Sequence, residues 1–125
     1  MRPSSATLTP QELELMKIIW SKGEVTVRDV YETLLERRRI AYTTVMTMMR
    51  VLERKGYLKT RREDRAYVYR PSHPERQVVR SMVREFVDRV FNGSARPLLV
   101  HLVEDRRLSK KELEELERLV REVES

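Results

Sequence analysis

Apolar and polar positions follow two rhythms along this chain, and the places where the rhythm changes mark its elements. After Thr9 the apolar residues Leu13, Met16, Ile19 and Trp20 recur at helical spacing. Thr9-Pro10-Gln11-Glu12 supplies an N-cap, a proline at the first helical position and a capping-box glutamate, and Gly23 closes the element. Thr26 opens a second helix striped by Val27, Val30, Tyr31, Leu34 and Leu35. Arg37, Arg38 and Arg39 end it, where cations suit the helix C-terminal dipole. A third helix carries Val45, Met48, Met49 and Leu52 at i, i+3, i+4 and i+7, and Gly56 stops it. The period then shortens. Tyr57 to Thr60 reads as a strand, Arg61 to Asp64 as a turn and Arg65 to Tyr69 as the returning strand, with Pro71 ending the pairing.

Beyond Pro71 the helical period returns without a break into strands. Ser72-His73-Pro74-Glu75 caps a long helix bearing Val79, Met82, Val83, Phe86, Val87, Val90 and Phe91, and Asn92-Gly93 stops it. Ser94 is placed to cap a short helix through Leu98, Leu99, Leu102 and Val103. Ser109-Lys110-Lys111-Glu112 is a capping box for a last helix with Leu113, Leu116, Val120 and Val123. These faces exceed what one short chain can cover, so the pattern predicts a homodimer. Its interface would draw on Val79, Met82, Val83, Phe86, Val90, Leu99, Leu102, Leu113, Leu116 and Val120. Tyr69-Arg70-Pro71 reads as a hinge, dividing the chain into residues 1–71 and a helical segment, 72–125.

Three helices followed by a β-hairpin are the parts of a winged helix-turn-helix, giving a mainly α fold class with a small β wing. In that arrangement the third helix enters the major groove of double-stranded DNA. Opposite its apolar stripe stand Thr43, Thr44, Thr47, Arg50 and Arg54. Threonine is a mediocre helix former, so several on one exposed face cost helix stability without a packing return. In a groove, a short hydroxyl with a methyl can hydrogen-bond base edges or phosphates and touch a thymine methyl.

Charge sharpens this picture. The 125 residues carry a net charge of +6, and all of it lies in residues 1–70, with 15 Lys/Arg against 9 Asp/Glu; residues 71–125 balance at 11 and 11. Residues 37–70 alone hold 11 basic to 3 acidic, which is the footprint of a polyanion binder. There is no cysteine, and the two histidines, His73 and His101, stand apart without a carboxylate pattern of metal-ligand type. With three glycines and no phosphate-cradling or nucleophile motif, the sequence argues against an enzyme and implies no cofactor or metal. No apolar run approaches the ~20 residues of a membrane span, and the expectation is a soluble cytoplasmic protein.

This succession resembles the penicillinase and methicillin-resistance repressors of the BlaI/MecI type, from about Leu8 to Val123. The residues that carry the likeness are Leu8-Thr9 with Glu14, Met16 and Trp20, then Ala41-Tyr42-Thr43-Thr44-Val45 with Thr47. They continue through Lys55-Gly56 with Leu58, Arg65-Ala66-Tyr67 with Tyr69, Phe91-Asn92-Gly93-Ser94 and Leu108-Ser109 with Glu112-Leu113. The resemblance implies a homodimer that binds an inverted-repeat operator and blocks transcription. It implies that Thr43, Thr44 and Thr47 face the bases, with Tyr42, Arg50 and Arg54 at the groove edge or phosphate and Arg61, Arg62 and Arg65 on phosphate. It also brings in an inactivating protease as a partner, although His101-Leu102 stands where such repressors carry the cleaved Asn-Phe bond. The copper-responsive relatives carry a C-terminal cysteine motif that this chain lacks. The rival readings are a non-specific architectural DNA-binding protein and a winged-helix protein-interaction module.

Overall fold

The structure is a computed structural model and describes residues 7–105 and 108–124. The element order is α1 (Pro10–Lys22), α2 (Val27–Leu35), α3 (Tyr42–Arg54), β1 (Leu58–Glu63), β2 (Ala66–Pro71), α4 (Glu75–Phe91), α5 (Arg96–Glu104) and α6 (Lys110–Glu124). It is a mainly helical fold with one antiparallel hairpin, as the hydrophobic pattern predicts. The chain forms two compact units, one ending at Glu75 and the other beginning at Arg76.

Both early capping boxes form. The Thr9 hydroxyl accepts from Glu12 N–H while the Glu12 carboxylate accepts from Thr9 N–H, and Thr26 and Asp29 repeat the exchange at α2. Gly23 takes φ +91°, a left-handed conformation open to glycine at no cost, and its N–H bonds Ile19 O at 2.7 Å to end α1. Helix α1 is the centre of the first unit: Leu15, Met16 and Ile19 are fully buried and Ile18 nearly so. That face is wider than the predicted stripe, because α1 is packed by both α2 and β2, and Leu13 and Trp20 sit only half-buried at its margins. Val30 and Leu34 of α2 and Val45, Met49 and Leu52 of α3 complete the core at 0% exposure. Met48, expected in the same stripe, is half-buried.

The hairpin corrects the sequence reading in detail. Its strands are longer than expected, with Leu58 opposite Pro71 and Glu63 opposite Ala66, so the turn shrinks to Asp64 and Arg65. Arg61 and Arg62 therefore lie on strand β1 and not in a turn. The tight reversal places Asp64 at φ +56°, which a short polar side chain tolerates. Tyr69-Arg70-Pro71, read from sequence as a hinge, is paired strand. Tyr69 is buried and exchanges backbone hydrogen bonds with Val25 at 2.9 and 2.7 Å. Trp20 Nε1–H donates to His73 O at 2.9 Å, and Lys17 pairs with Glu75 at 3.3 Å, so the chain stays attached to the first unit as far as Glu75.

In the second unit α4 ends as expected at Asn92-Gly93, where Gly93 takes φ +86° and its N–H bonds Val87 O at 3.1 Å. Ser94 does not cap α5. The N-cap is Ala95, which is buried and makes no side-chain cap bond. The Ser109–Glu112 capping box of α6 forms in both directions. Arg76 and Arg80 of α4 reach Glu122 of α6 at 3.8 and 3.5 Å.

Candidate nucleic-acid interface

Helix α3 is amphipathic in an unusual way: one side is core, and the other is short and polar. Thr43, Thr44 and Thr47 are exposed, as are Tyr42, Arg50 and Arg54. Val45, Met49 and Leu52 hold the opposite side against α2 and the wing. The α3 N-cap is Ala41, which has no side chain able to accept from the first turn. Thr44 N–H turns back to Ala41 O at 3.1 Å, and the positive end of the helix dipole at this exposed end, without a side-chain cap, suits a phosphate. The Tyr42 ring meets Tyr31 of α2 edge to face at 5.3 Å, which fixes the start of the helix.

Between α3, the start of α2 and the wing lies an open concavity of about 870 Å³. Tyr42, Arg50 and Arg54 border it from the helix, and Thr60, Arg65 and Tyr67 from the wing. Sequence reasoning missed Arg28, Met46 and Tyr67 on its wall. Tyr67 could have been found from strand alternation, since it shares a face with Tyr69; Arg28 and Met46 are placed only by tertiary packing. The guanidinium of Arg62 lies over the Tyr67 ring, 5.8 Å from its centroid, and Arg62 Nε–H donates to Asp64 O at 3.3 Å. Arg62 is thus held on the side of the hairpin that borders the concavity.

Other cations are neutralised. Arg37 and Arg38 fall beyond the end of α2 and pair with Glu14 of α1, Arg38 Nη1 lying 2.7 Å from Glu14 Oε1. The Arg38 guanidinium, with help from Arg37 and against slight burial, holds the Glu14 carboxyl below the usual carboxylate range. Arg61 is engaged by Glu24 and Glu63, and its guanidinium keeps the Glu24 carboxyl low. Among the described residues no group of three His, Cys, Asp or Glu could hold a metal ion, and no helix is long and apolar enough to cross a membrane.

In the second unit the predicted interface residues divide by exposure. Val83, Phe86 and Val90 stand exposed at 39%, 41% and 49%, while Val79, Met82, Leu99, Leu102, Leu113 and Leu116 are half-buried. The side chain of Val120 lies outside the described residues. Val100, Val103 and Leu119 are exposed too, and were not among those predicted. Between α4 and α6 runs an apolar groove of about 700 Å³ with Val79, Val83, Val87, Leu116 and Leu119 on its walls.

A three-helix unit with an exposed threonine face on its third helix, beside a concavity that the helix shares with an arginine-bearing hairpin, is a winged-helix DNA-binding module. The comparisons with known proteins give the family. The penicillinase repressor family model matches residues 8–122, and the chain belongs to that family. The penicillinase repressor of Bacillus licheniformis is 29% identical over 115 residues, covering 92% of this chain and 90% of its own length. The transcriptional regulator BlaI of Mycobacterium tuberculosis is 39% identical over 116 residues, covering 91% and 83%. Among solved structures, the DNA-binding domain of the repressor BlaI superposes with a TM-score of 0.53 at 30% identity, covering 59% of this chain and 90% of that one.

Proposed function

We propose that this chain is a sequence-specific transcriptional repressor that binds an inverted-repeat DNA operator as a homodimer in the cytoplasm. The observation that carries the reading is the exposed threonine face of α3 beside a concavity shared with the wing. A purely electrostatic binder gains most from Lys or Arg at such positions, whereas hydroxyls and methyls distinguish base edges. Thr43, Thr44 and Thr47 read bases; Tyr42, Arg50 and Arg54 hold the groove edge; Arg62 and Arg65 meet phosphate.

The second copy is supported by the row Val83, Phe86 and Val90, whose exposed apolar area on one side of α4 is the kind that marks a protein interface. Two copies related by a two-fold axis present two recognition helices, which is why the expected operator is an inverted repeat. An inactivating protease fits this scheme as the agent of release. The segment 99–103 lies within α5, so a bond there becomes a substrate only once that helix opens.

Selection of bound duplexes from a random-sequence pool tests the proposal. Two copies of one half-site, inverted and at fixed spacing, are the expected product. A pool that shows no enriched half-site would overturn it in favour of architectural binding.

A further inference from the structure

The wing arginines do not share one environment. The hairpin register sets Thr60 opposite Tyr69, Arg62 opposite Tyr67 and Arg61 opposite Val68. Side chains alternate across a strand, so Arg61 projects from the face opposite Thr60, Tyr67 and Tyr69, the residues that border the concavity. On that outer face two carboxylates take its guanidinium. Nη1 donates to Glu24 Oε2, and Nη2 lies 2.8 Å from Glu63 Oε2 and 3.5 Å from Glu24 Oε1. Glu24 is itself anchored through the next residue, since Val25 exchanges two backbone hydrogen bonds with Tyr69 of β2. The ion pair therefore crosses β2, from β1 to the connection that begins α2.

We propose that Arg61 is a positioning residue and not a phosphate ligand: held by Glu24, it braces β1 against the α1–α2 connection and fixes the pose in which Arg62 and Arg65 meet a duplex. This rests on the DNA-binding reading above. Its consequence has a sign that ordinary electrostatics does not give. Removing a carboxylate from a protein surface near a polyanion strengthens binding by reducing repulsion. If Glu24 acts through Arg61 to place the wing, its removal weakens binding instead.

The test uses the full chain and two probes: a duplex enriched from a random pool by the wild type, and an unselected duplex of equal length. Glu24→Gln and Arg61→Gln are each expected to lower affinity for the enriched duplex about two- to fivefold, the scale of one exposed ion pair. The slope of log K against log salt should stay within about half a unit of wild type, because every phosphate ligand is retained. The double variant should be no weaker than either single, as expected when two side chains act through each other. Arg65→Ala serves as the control whose slope does fall. Thermal melts confirm that each variant is folded at the assay temperature.

Stronger binding of Glu24→Gln to both duplexes overturns the inference, since the carboxylates would then be holding a phosphate-binding arginine in check. A slope lower by about one unit in Arg61→Gln overturns it as well, and so does an unchanged affinity in both singles. A wild type that binds the two probes equally defeats the DNA-recognition reading itself. A wild type that discriminates while the cycle proves additive defeats this inference alone.

Discussion

Lys55, the residue that closes α3, holds Glu12 in the first turn of α1: its Nζ lies 2.7 Å from Glu12 Oε1 and 2.9 Å from Oε2. Glu12 is 6% exposed and also completes the Thr9 capping box, so one carboxylate satisfies both a helix N-terminus and the last turn of α3. Burial by itself would push this carboxyl up. The Lys55 ammonium and the Thr9 N–H outweigh it and bring the carboxyl below the usual range.

Acid should therefore destabilise the first unit through Glu12. A carboxyl whose folded pKa is depressed contributes stability above its unfolded value, about 4.3, and that contribution is lost as pH falls through the folded value. Glu12→Gln should flatten the acid limb of melting temperature against pH between about pH 5 and pH 2. Lys55→Met leaves the buried carboxylate without its ammonium and should cost about 1–3 kcal/mol near neutrality. Melts of both variants across that range check the assignment; an unchanged acid limb in Glu12→Gln would remove it.

The two sides of α3 should separate folding from recognition. Thr44→Ala and Thr47→Ala leave the buried Val45, Met49 and Leu52 untouched and should raise helix stability by a few tenths of a kcal/mol. Operator affinity should nevertheless fall by about 1–3 kcal/mol for each base interaction removed, with a much smaller effect on random duplex. Met49→Ala should do the reverse, costing about 2–5 kcal/mol of stability. Met48 is a poorer control than the sequence suggests, because it is half-buried. The ratio of specific to random affinity at one salt concentration, beside a melt, decides.

At the wing, Arg62→Ala and Arg65→Ala should weaken specific and random binding alike. Each arginine withdrawn from a phosphate should lower the slope of log K against log salt by about one unit. A change in base preference with the slope intact would mean that these arginines read sequence.

For assembly, sedimentation of the full chain without DNA should show a dimer at micromolar concentration. Val83→Asp with Phe86→Ala should shift it toward monomer, since a carboxylate on that exposed apolar row carries a desolvation cost into any interface that covers it. Binding to an operator with both half-sites should then drop toward that of a single half-site. A double variant that still sediments as a dimer would move the interface elsewhere.

The elements, and most of the helix ends, were legible in the sequence because their causes are local. Thr9 with Glu12, Thr26 with Asp29 and Ser109 with Glu112 cap within four residues, and Gly23, Gly56 and Gly93 adopt the positive φ expected of helix stops. The exposed threonines were legible for the same reason, since helical periodicity alone assigns Val45 and Thr44 to different sides. What periodicity could not give was the partner of each side chain. Arg37 and Arg38 meet Glu14 from 23 and 24 residues away, and Arg61 meets Glu24 from 37, so three arginines that read alike as basic surface are paired. Strand propensity could not show either that Tyr69 pairs with Val25, a bridge between residues far apart in the chain. The sequence by itself determined where α1, α2 and α6 begin, which sides of the helices are apolar and where positive charge collects, since neighbours a few residues apart settle those. Only the tertiary structure decided which cations stay available to a polyanion, because that depends on carboxylates brought close by the fold from distant parts of the chain.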